Sequence, residues 1–182
     1  IMSQLWAPIA GVSTVWRGRV NAQIAVAIGG ASIVPHRPRV VIQLYKTNYT
    51  HELVLQSKVF ALNFLRKEQL LLMKELGFVS GRDRDKLSHV AYKPGITGSP
   101  ILAGCFGFLD CRVVNAMDGG DMTCFLAEAV DGGTYGGEAM TWAYARTAMP
   151  PEWLEEYGSK IQREIQTSLE RMDKISFTPP MP

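Results

Sequence analysis

The order of apolar and polar positions at the start of the chain predicts β-strands separated by tight turns. Residues 7–16 and 20–28 are rich in apolar and β-branched side chains, and a glycine between two arginines separates the two runs. Two such runs joined by a tight turn predict an antiparallel hairpin. Residues 39–45 follow a loop rich in Gly and Pro and hold three consecutive β-branched side chains, which favours a buried central strand.

Helix signals interrupt this β pattern. Thr47 or Asn48 can cap a helix that continues to Leu55, because a side-chain oxygen at the cap accepts a hydrogen bond from a free backbone N–H. Further along, residues 67–76 carry apolar side chains at helical spacing. They predict a short amphipathic helix that ends at Gly77.

Strand patterns dominate the rest of the chain up to residue 146, apart from an irregular stretch over residues 80–100. Turns at a spacing of roughly ten residues are typical of an antiparallel barrel. We therefore expect a mainly β fold, a closed antiparallel Greek-key split β-barrel with short inserted helices. Its further strand-like runs are residues 59–65, 101–115, 122–130 and 139–146.

A long helix is predicted after the proline pair at positions 150 and 151. Apolar side chains recur at helical spacing over residues 152–173. We expect this helix to pack on the barrel or on a second subunit, with no role at a membrane. The chain then divides into a barrel domain, residues 1–149, and a C-terminal helix and tail, residues 150–182, of which 177–182 are expected to be extended.

Composition and charge argue against several classes of function. The 182 residues include 19 basic and 17 acidic side chains scattered along the chain, with a formal charge of +2, so no basic patch for nucleic acid or an anionic membrane stands out. No apolar run reaches the roughly 20 residues that span a bilayer, and the N-terminus does not resemble a secretory signal. We expect a cytoplasmic protein.

The three cysteines and three histidines lack the spacing of a metal site. Cys105, Cys111 and Cys124 are odd in number, lie in strand-like runs and form no CxxC pair. This pattern favours buried thiols in a reducing compartment. The histidines never occur at ligand spacing, so no metal is expected.

The stretch over residues 20–51 carries the candidate chemistry. It runs from a strand through a Gly-rich loop to a second strand, and then into a polar segment with Lys46 and Thr50 that opens a helix. Backbone N–H groups, a hydroxyl and an ammonium beside a helix N-terminus form a site for the phosphate of a planar ligand. The alternative is that the Gly and Pro residues only make turns.

Several short motifs, in the correct order, resemble those of the flavin reductase-like family, the FMN-binding split barrels. The resemblance covers the chain from about residue 8 to residue 146. It rests on Asn21-Ala22, Ser32, Pro35 with Pro38, residues 40–44, Lys46 ahead of Thr50-His51, residues 57–65, Ser80-Gly81, Asp85-Lys86, residues 98–102 and Asp110-Cys111-Arg112.

This resemblance implies a homodimer that binds FMN non-covalently near the subunit interface. The positions that match the family's contacts to the polar edge of the isoalloxazine are Asn21, Ala22 and Gln23, and those that match its ribityl and phosphate contacts are Ser32, Ile33, Val34, Lys46 and Thr50. His51 either joins the phosphate ligands or faces solvent from the first turn of the helix.

Two departures from the family pattern leave alternatives open. The loop over residues 33–39 is longer than the usual spacing, so Arg37 or Arg39 either takes part in ligand binding or belongs to a simple excursion. Family members that use nicotinamide often carry His in a Gly-Asp-His turn, where this chain has Met122. A thioether can neither be charged nor donate a hydrogen bond as imidazole does, so the match to nicotinamide use is weaker than the match to flavin binding.

The leading hypothesis is an FMN-binding oxidoreductase, an NAD(P)H:flavin reductase. Hydride would pass from NADH or NADPH to FMN, and electrons would pass to a monooxygenase or another acceptor, with FAD as the alternative flavin. The cofactor performs such chemistry while the protein orients it, so no catalytic side chain is singled out. The alternative is a flavin-binding electron-transfer module without a nicotinamide site, within a larger flavoprotein. A barrel that binds haem is a third reading, for which no axial ligand is well placed.

Overall fold

A computed structural model of the chain describes residues 8–172, 174 and 175. The strands in these residues are β1 (Ala10–Trp16), β2 (Arg19–Ala25), β3 (Ile28–Gly30), β4 (Arg39–Tyr45), β5 (Val59–Phe64), β6 (Tyr92–Pro94), β7 (Pro100–Leu102), β8 (Gly107–Asp118) and β9 (Met122–Thr134). The helices are α1 (Tyr49–Ser57), α2 (Leu70–Phe78), α3 (Trp142–Ala148) and α4 (Pro151–Met172). Residues 177–182, expected to be extended, lie outside the described residues.

Seven strands form one antiparallel sheet in the order β2-β1-β5-β8-β9-β4-β3, and β6 pairs with β7 separately. The mainly β fold and the first hairpin are therefore confirmed. β4 pairs with β9 in a register that runs from Arg39 opposite Glu128 to Tyr45 opposite Met122. The end of β4 and the turn between β8 and β9 consequently lie together at one end of the sheet.

The sheet is open, and the expectation of a closed barrel is wrong. Its two edge strands, β2 and β3, are joined through Val26 and Ala27 with no ladder between them. Gln43 N donates a hydrogen bond to Ala27 O at 3.2 Å, so the chain changes its partner from β1 to β4 as it passes from one edge to the other. β3 has three residues, which is at the short limit for a strand and too few to close the ladder.

Two large apolar clusters of the described residues hold the fold together, and a third, small one consists of Ala61, Ile101 and Phe108. One joins strands β1, β4, β5, β8 and β9 with helix α1 and includes Ala10, Val12, Val40, Ile42, Leu44, Val54, Phe60, Leu62, Cys111, Phe125 and Ala127. The other joins β2 with α2 and α3 and includes Ile9, Ala22, Leu65, Met73, Leu76, Leu87, Leu102, Cys105, Met140, Trp142, Ala145 and Met149. Val40, Ile42 and Leu44 on one face of β4 are buried, whereas Gln43 and Tyr45 on the other face are exposed, so the expectation of a buried strand holds for one face only.

The two inserted helices occur where the sequence predicts them, although their ends differ. Asn48 is the N-cap residue of α1, which continues to Ser57. Helix α2 continues through Gly77 to Phe78, so the predicted stop at Gly77 is wrong. A Cβ atom at Gly77 would lie 3.2 Å from Ile24 Cγ1, and this glycine therefore serves the close approach of α2 to β2.

Helix α3 occupies a region for which a strand was expected, residues 139–146. Apolar and small side chains alternate there, but the Thr141 hydroxyl caps the helix by accepting a hydrogen bond from Tyr144 N at 3.2 Å. This cap satisfies a backbone N–H that has no partner within the helix. The capping signal therefore decides the structure, and the strand prediction is wrong.

Helix α4 confirms the long C-terminal helix. It is anchored near its N-terminus, where Lys74 Nζ lies 4.6 Å from the centroid of the Trp153 ring and 2.9 Å from a carboxylate oxygen of Glu156. The Tyr157 ring lies 5.5 Å from that of Trp142. No residue of α4 is fully buried, so the helix packs on the surface of the fold. Among the described helices, none has the length and apolar character needed to cross a membrane.

A buried asparagine fixes the β6–β7 hairpin to the main sheet. Asn63 is fully buried; its Oδ1 accepts a hydrogen bond from Leu102 N at 2.7 Å, and its Nδ2 donates to Ser13 Oγ at 2.9 Å. Buried polar groups of this kind are costly when they lose their partners. Asn63 thus connects β5 with both β1 and β7.

Substitution of Asn63 by Ala is expected to lower the free energy of unfolding by about 3 kcal/mol, because buried groups of two strands lose their partners. Denaturant unfolding followed by circular dichroism measures this change. Asn115→Ala is the matched control: Asn115 is exposed and bonds only the adjacent Ala116 N, so a change within about 0.5 kcal/mol is expected. Equal losses in the two variants would contradict the role of Asn63.

Candidate functional site

A small polar cavity lies where β2, the N-terminus of α1, the loop after α2 and helix α4 meet. We call it the α1 cavity. It has a volume of about 110 Å³ and is lined by Asn21, Gln23, Ile24, Thr47, Asn48, Tyr49, Thr50, Leu76, Gly77, Val79, Ser80, Gly81, Lys86, Lys160 and Glu164. Three of the residues predicted from the sequence, Asn21, Gln23 and Thr50, are among them.

A hydrogen bond between Asn21 and Thr50 holds one wall of this cavity. Asn21 Nδ2 donates to Thr50 Oγ1 at 2.8 Å, and both residues are buried. The Thr50 hydroxyl keeps its own proton free to donate to a ligand. A Cβ atom at Gly81 would come within 2.1 Å of Asn21 Oδ1, so the loop after α2 lies directly against Asn21 and requires glycine at this point.

The N-terminus of α1 is open toward the α1 cavity. Asn48 occupies the N-cap position, but its side chain makes no capping hydrogen bond. Thr47 Oγ1 is buried and has no partner within the protein. A helix N-terminus presents unpaired N–H groups and the positive end of the helix dipole, which together favour an anion.

Gln23 and Lys86 place further polar groups at the α1 cavity. Gln23 is 7 % exposed, and its Oε1 atom is buried without a partner. Lys86 is also 7 % exposed, and its Nζ donates to Leu76 O at 2.7 Å. Burial lowers the pKa of Lys86 to about 7, and the charges of Lys160 and Arg84 act in the same direction.

Helix α4 covers the outer side of the α1 cavity. Lys160 and Glu164 line it from this helix and form an ion pair at 3.0 Å. Further along the helix, a Cβ atom at Gly120 would lie 3.1 Å from Met172 Cα, so the end of α4 lies against the turn between β8 and β9. A second, mostly apolar cavity of about 170 Å³ separates this part of α4 from Tyr45 and Asp121.

Lys46 lies beside the α1 cavity but is engaged elsewhere. Its Nζ is 2.6 Å from Asp118 Oδ1 in the turn between β8 and β9. The ammonium group, followed by a hydrogen bond from Gly120 N, lowers the pKa of Asp118. A phosphate at the N-terminus of α1 would therefore compete with Asp118 for Lys46.

His51 is buried, so the alternative that it faces solvent is wrong. Its Nε2 lies 2.8 Å from Thr123 Oγ1 on β9, its Nδ1 is buried without a partner, and its ring centroid is 5.8 Å from that of Phe125. Burial, followed by the charge of Lys46, lowers the pKa of His51. The imidazole is therefore neutral at pH 7 and connects α1 to the sheet.

The loop predicted to approach the phosphate lies at the other end of β4. Ser32, Ile33 and Val34 are exposed, with Ile33 at 99 %, and Arg37 pairs with Glu128 at 2.9 Å. β4 has seven residues and rises about 3.3 Å per residue, which separates this loop from Lys46 by about 20 Å. Within one chain, the two halves of the predicted site do not meet.

The remaining predicted residues lie in the core or at the sheet, away from the lining of the α1 cavity. The Ala22 side chain is fully buried in the cluster beneath α2 and α3. Arg39 lies 3.6 Å from Glu128. Met122 begins β9 opposite Tyr45. Cys105 and Cys111 are buried, as expected, and burial raises their pKa values to about 11 and about 12, whereas Cys124 is only half-buried.

Two lysines of the α1 cavity, Lys86 and Lys160, were not among the predicted ligands. The Asp85-Lys86 pair belongs to the motifs that carry the family resemblance, and this signal points to Lys86. For Lys160 no local signal exists, because it is one of several charged residues on an amphipathic helix. Its position at the cavity depends entirely on how α4 packs.

The described residues thus form a mainly β protein with an open sheet and a polar cavity at the N-terminus of α1. The model of the flavin reductase like domain matches residues 2–151, and the chain belongs to this family. The match ends as α4 begins, so the helix that covers the cavity lies almost wholly outside the matched region.

Similar proteins include a rubredoxin and a reductase. The chain is 31 % identical over 129 residues to the high molecular weight rubredoxin of Moorella thermoacetica, covering 69 % of this chain and 56 % of that protein. It is 31 % identical over 116 residues to the ferric-chelate reductase (NAD(P)H) of Archaeoglobus fulgidus, covering 63 % of this chain and 68 % of that protein. The chain thus spans little more than half of the Moorella protein.

A solved structure with the same fold is that of an FMN-binding protein from Thermus thermophilus with bound p-hydroxybenzaldehyde. The TM-score is 0.66 at 29 % identity, and the alignment covers 70 % of this chain and 71 % of that chain.

Proposed function

We propose that this protein binds FMN and is an oxidoreductase, an NAD(P)H:flavin reductase that delivers electrons to a separate acceptor. The observation that carries the proposal is the α1 cavity itself, where the Asn21–Thr50 hydrogen bond joins the first hairpin to an uncapped helix N-terminus. The family of the chain and the FMN-binding Thermus structure support the choice of FMN.

The residues of the α1 cavity fit the ribityl phosphate of FMN. Thr47 Oγ1, which lacks a partner, and the Thr50 hydroxyl can donate to phosphate oxygens, as can the first N–H groups of α1. Gln23 Oε1, also without a partner, can accept from a ribityl hydroxyl. The cavity volume of about 110 Å³ admits the phosphate end but not the tricyclic ring, which would lie outside the cavity.

The protein contributes binding and orientation to the reaction. FMN, when bound, supplies the chemistry of accepting hydride from nicotinamide and passing electrons on. The N-terminus of α1 and the hydroxyls hold the phosphate, and this attachment fixes where the ring lies relative to the sheet. His51 is neutral and holds α1 against β9 through Thr123, so it acts on the position of α1 rather than on a proton of the substrate.

Substitution of Lys46 by Ala is expected to lower the affinity for FMN about tenfold and to leave the affinity for riboflavin unchanged, because only FMN carries the phosphate that the ammonium neutralises. Asp118→Asn is expected to raise the affinity for FMN about threefold, since it releases Lys46 from its ion pair. Fluorescence titration of both flavins measures these changes. Equal losses of FMN and riboflavin in the Lys46 variant would show that Lys46 does not contact the phosphate.

Reduction by nicotinamide is the second test of the proposal. Anaerobic mixing of the FMN-loaded protein with NADH or NADPH is expected to bleach the visible flavin band, whereas free FMN at the same concentration without protein should react far more slowly. Dithionite is the control for a reducible flavin. Bleaching by dithionite but not by either nicotinamide would overturn the reductase and support the carrier function.

The carrier function is the second candidate, and one specific observation favours it. Met122 stands at the start of β9, opposite Tyr45, where nicotinamide-dependent relatives often carry His. The likeness to the high molecular weight rubredoxin of Moorella thermoacetica agrees with an electron-transfer role. In this case electrons would enter from a protein donor rather than from nicotinamide.

We also propose that the site is completed in a homodimer. The Ser32 loop lies about 20 Å from Lys46 along β4 and exposes Ile33 almost fully, so the two halves of the site can meet only if the loop comes from a second subunit. This explains why an apolar side chain at the loop tip remains uncovered within one chain.

Substitution of Ile33 by Asp is expected to convert the dimer to a monomer and to weaken FMN at least tenfold, because a charge replaces the apolar tip of the loop. Light scattering coupled to size exclusion measures the mass. Ile96→Asp is the matched control: Ile96 is 65 % exposed in the β6–β7 turn. We expect this variant to keep the mass and the FMN affinity of the unmodified protein. A wild-type protein that is monomeric with FMN bound would contradict the proposal.

A further inference from the structure

A mostly apolar cavity, which the proposed flavin site does not use, lies between the last turns of α4 and the end of β4. We call it the α4 cavity. It has a volume of about 170 Å³, and Ile161, Ile165 and Leu169 of α4 line it together with Tyr45 and Asp121. Ile165 and Leu169 remain 40 % and 53 % exposed. The cavity therefore keeps apolar surface that the described residues do not cover.

This cavity is a feature of the chain beyond its family domain. The match to the flavin reductase like domain ends at residue 151, where α4 begins, and α4 supplies the apolar wall of the cavity. The family domain alone therefore does not form the α4 cavity, and a role for it has to be argued from its own residues.

The charge of the α4 cavity is negative. Asp121 and Glu164 line it, and among the described residues no basic side chain does. Glu164 is paired with Lys160 at 3.0 Å, whereas the Asp121 carboxylate has no hydrogen-bond or ion-pair partner in the described part of the chain. The last turn of α4, at Met172, adds the negative end of the helix dipole. The cavity thus combines apolar surface with a carboxylate that lacks a counter-charge.

Tyr45 gives the α4 cavity an aromatic wall. Burial, followed by the charges of Asp121 and Glu164, raises the pKa of Tyr45, so both carboxylates lie within electrostatic reach of the phenol. The face of an aromatic ring attracts a cation, and the attraction is stronger where water is partly excluded. Tyr45 and Asp121 therefore favour the same kind of ligand group.

These surroundings select one class of ligand. A neutral apolar molecule would remove water from the Asp121 carboxylate without replacing it, and an anion would be repelled by both carboxylates. A metal ion lacks ligands, because no group of three or more His, Cys, Asp or Glu side chains occurs among the described residues. An ammonium group on a small apolar body matches both parts of the cavity. A cavity of about 150 Å³ can hold benzene, so a single ring fits.

We propose that the α4 cavity binds a small arylalkylamine, with its ammonium group at Asp121 and its ring against the apolar side chains of α4. Glu164 connects this site to the α1 cavity, because it lines both. A bound ammonium competes with Lys160 for Glu164 and leaves Lys160 free to attract an anion in the α1 cavity. The amine is then an effector, and amine and FMN each strengthen the binding of the other. This coupling rests on the proposed function, whereas the amine site does not.

The amine site is tested by titration calorimetry of the flavin-free protein at pH 7 with benzylamine, benzyl alcohol and benzoate. Benzylamine is expected to bind at least tenfold more tightly than the other two, because it alone carries a positive charge. Asp121→Asn should lower the affinity for benzylamine about tenfold. Asp131→Asn is the matched control: Asp131 is exposed at the other end of β9, about 30 Å away, and this variant should keep the affinity.

Two substitutions at Tyr45 separate the ring from the hydroxyl. Tyr45→Phe should keep the affinity for benzylamine within about twofold, whereas Tyr45→Leu should lower it about fivefold, because only leucine lacks an aromatic face. Ser168→Phe places a ring in the cavity from the surface of α4 and should abolish binding of benzylamine. Circular dichroism of each variant measures whether the fold is retained.

The coupling is tested by fluorescence titration of FMN with and without saturating benzylamine. The affinity for FMN should rise about threefold in the unmodified protein and stay constant in Glu164→Gln. Equal binding of benzylamine and benzyl alcohol, or an unchanged affinity for benzylamine in Asp121→Asn, would overturn the amine site. Binding of benzylamine without an effect on FMN would overturn the coupling. If FMN does not bind at all, the proposed function and the coupling both fail, and the benzylamine titrations alone decide on the site.

Discussion

The hydrogen bond between Asn21 and Thr50 is the contact on which the architecture of the site depends. It joins β2, an edge strand of an open sheet, to the first turn of α1. An edge strand has unpaired backbone groups on one side, and here a side chain provides the connection that a ladder would otherwise provide. The same hydrogen bond keeps the N-terminus of α1 facing a cavity instead of solvent.

The strands could be predicted from the sequence because their signals are local. β4 has the bounds that the sequence predicts, since three β-branched residues in succession favour a strand. Helix α3 was missed because the alternation around Trp142 imitates a strand, and the cap at Thr141 outweighs that alternation. The expectation of a closed barrel was wrong because β3 has three residues and pairs with β4 alone, so the edge strands β2 and β3 form no ladder.

The site divides in the same way. Asn21 and Thr50 belong to short motifs that the sequence analysis identified, and Gln23 lies next to the first of them. The structure brings all three to one cavity. The ion pair of Lys46 with Asp118 joins residues separated by 72 positions, and the burial of His51 against Thr123 spans the same separation. Such pairings follow from the register of β4 against β9, so the roles of individual polar residues could not be predicted before that register was known.

Helix α4 is the least buried of the elements that line the α1 cavity. None of its residues is fully buried. Trp153 and Tyr157 hold its first turns against Lys74 and Trp142, and its last turn lies against Gly120 in the turn between β8 and β9. Elements with few buried contacts open at a lower free energy than the core to which they are attached. The α1 cavity is thus lined on one side by β2 and α1, and on the other by a surface helix without a fully buried residue. The same helix supplies Lys160 and Glu164 to the cavity, so part of its polar lining depends on how α4 packs against the sheet and α1.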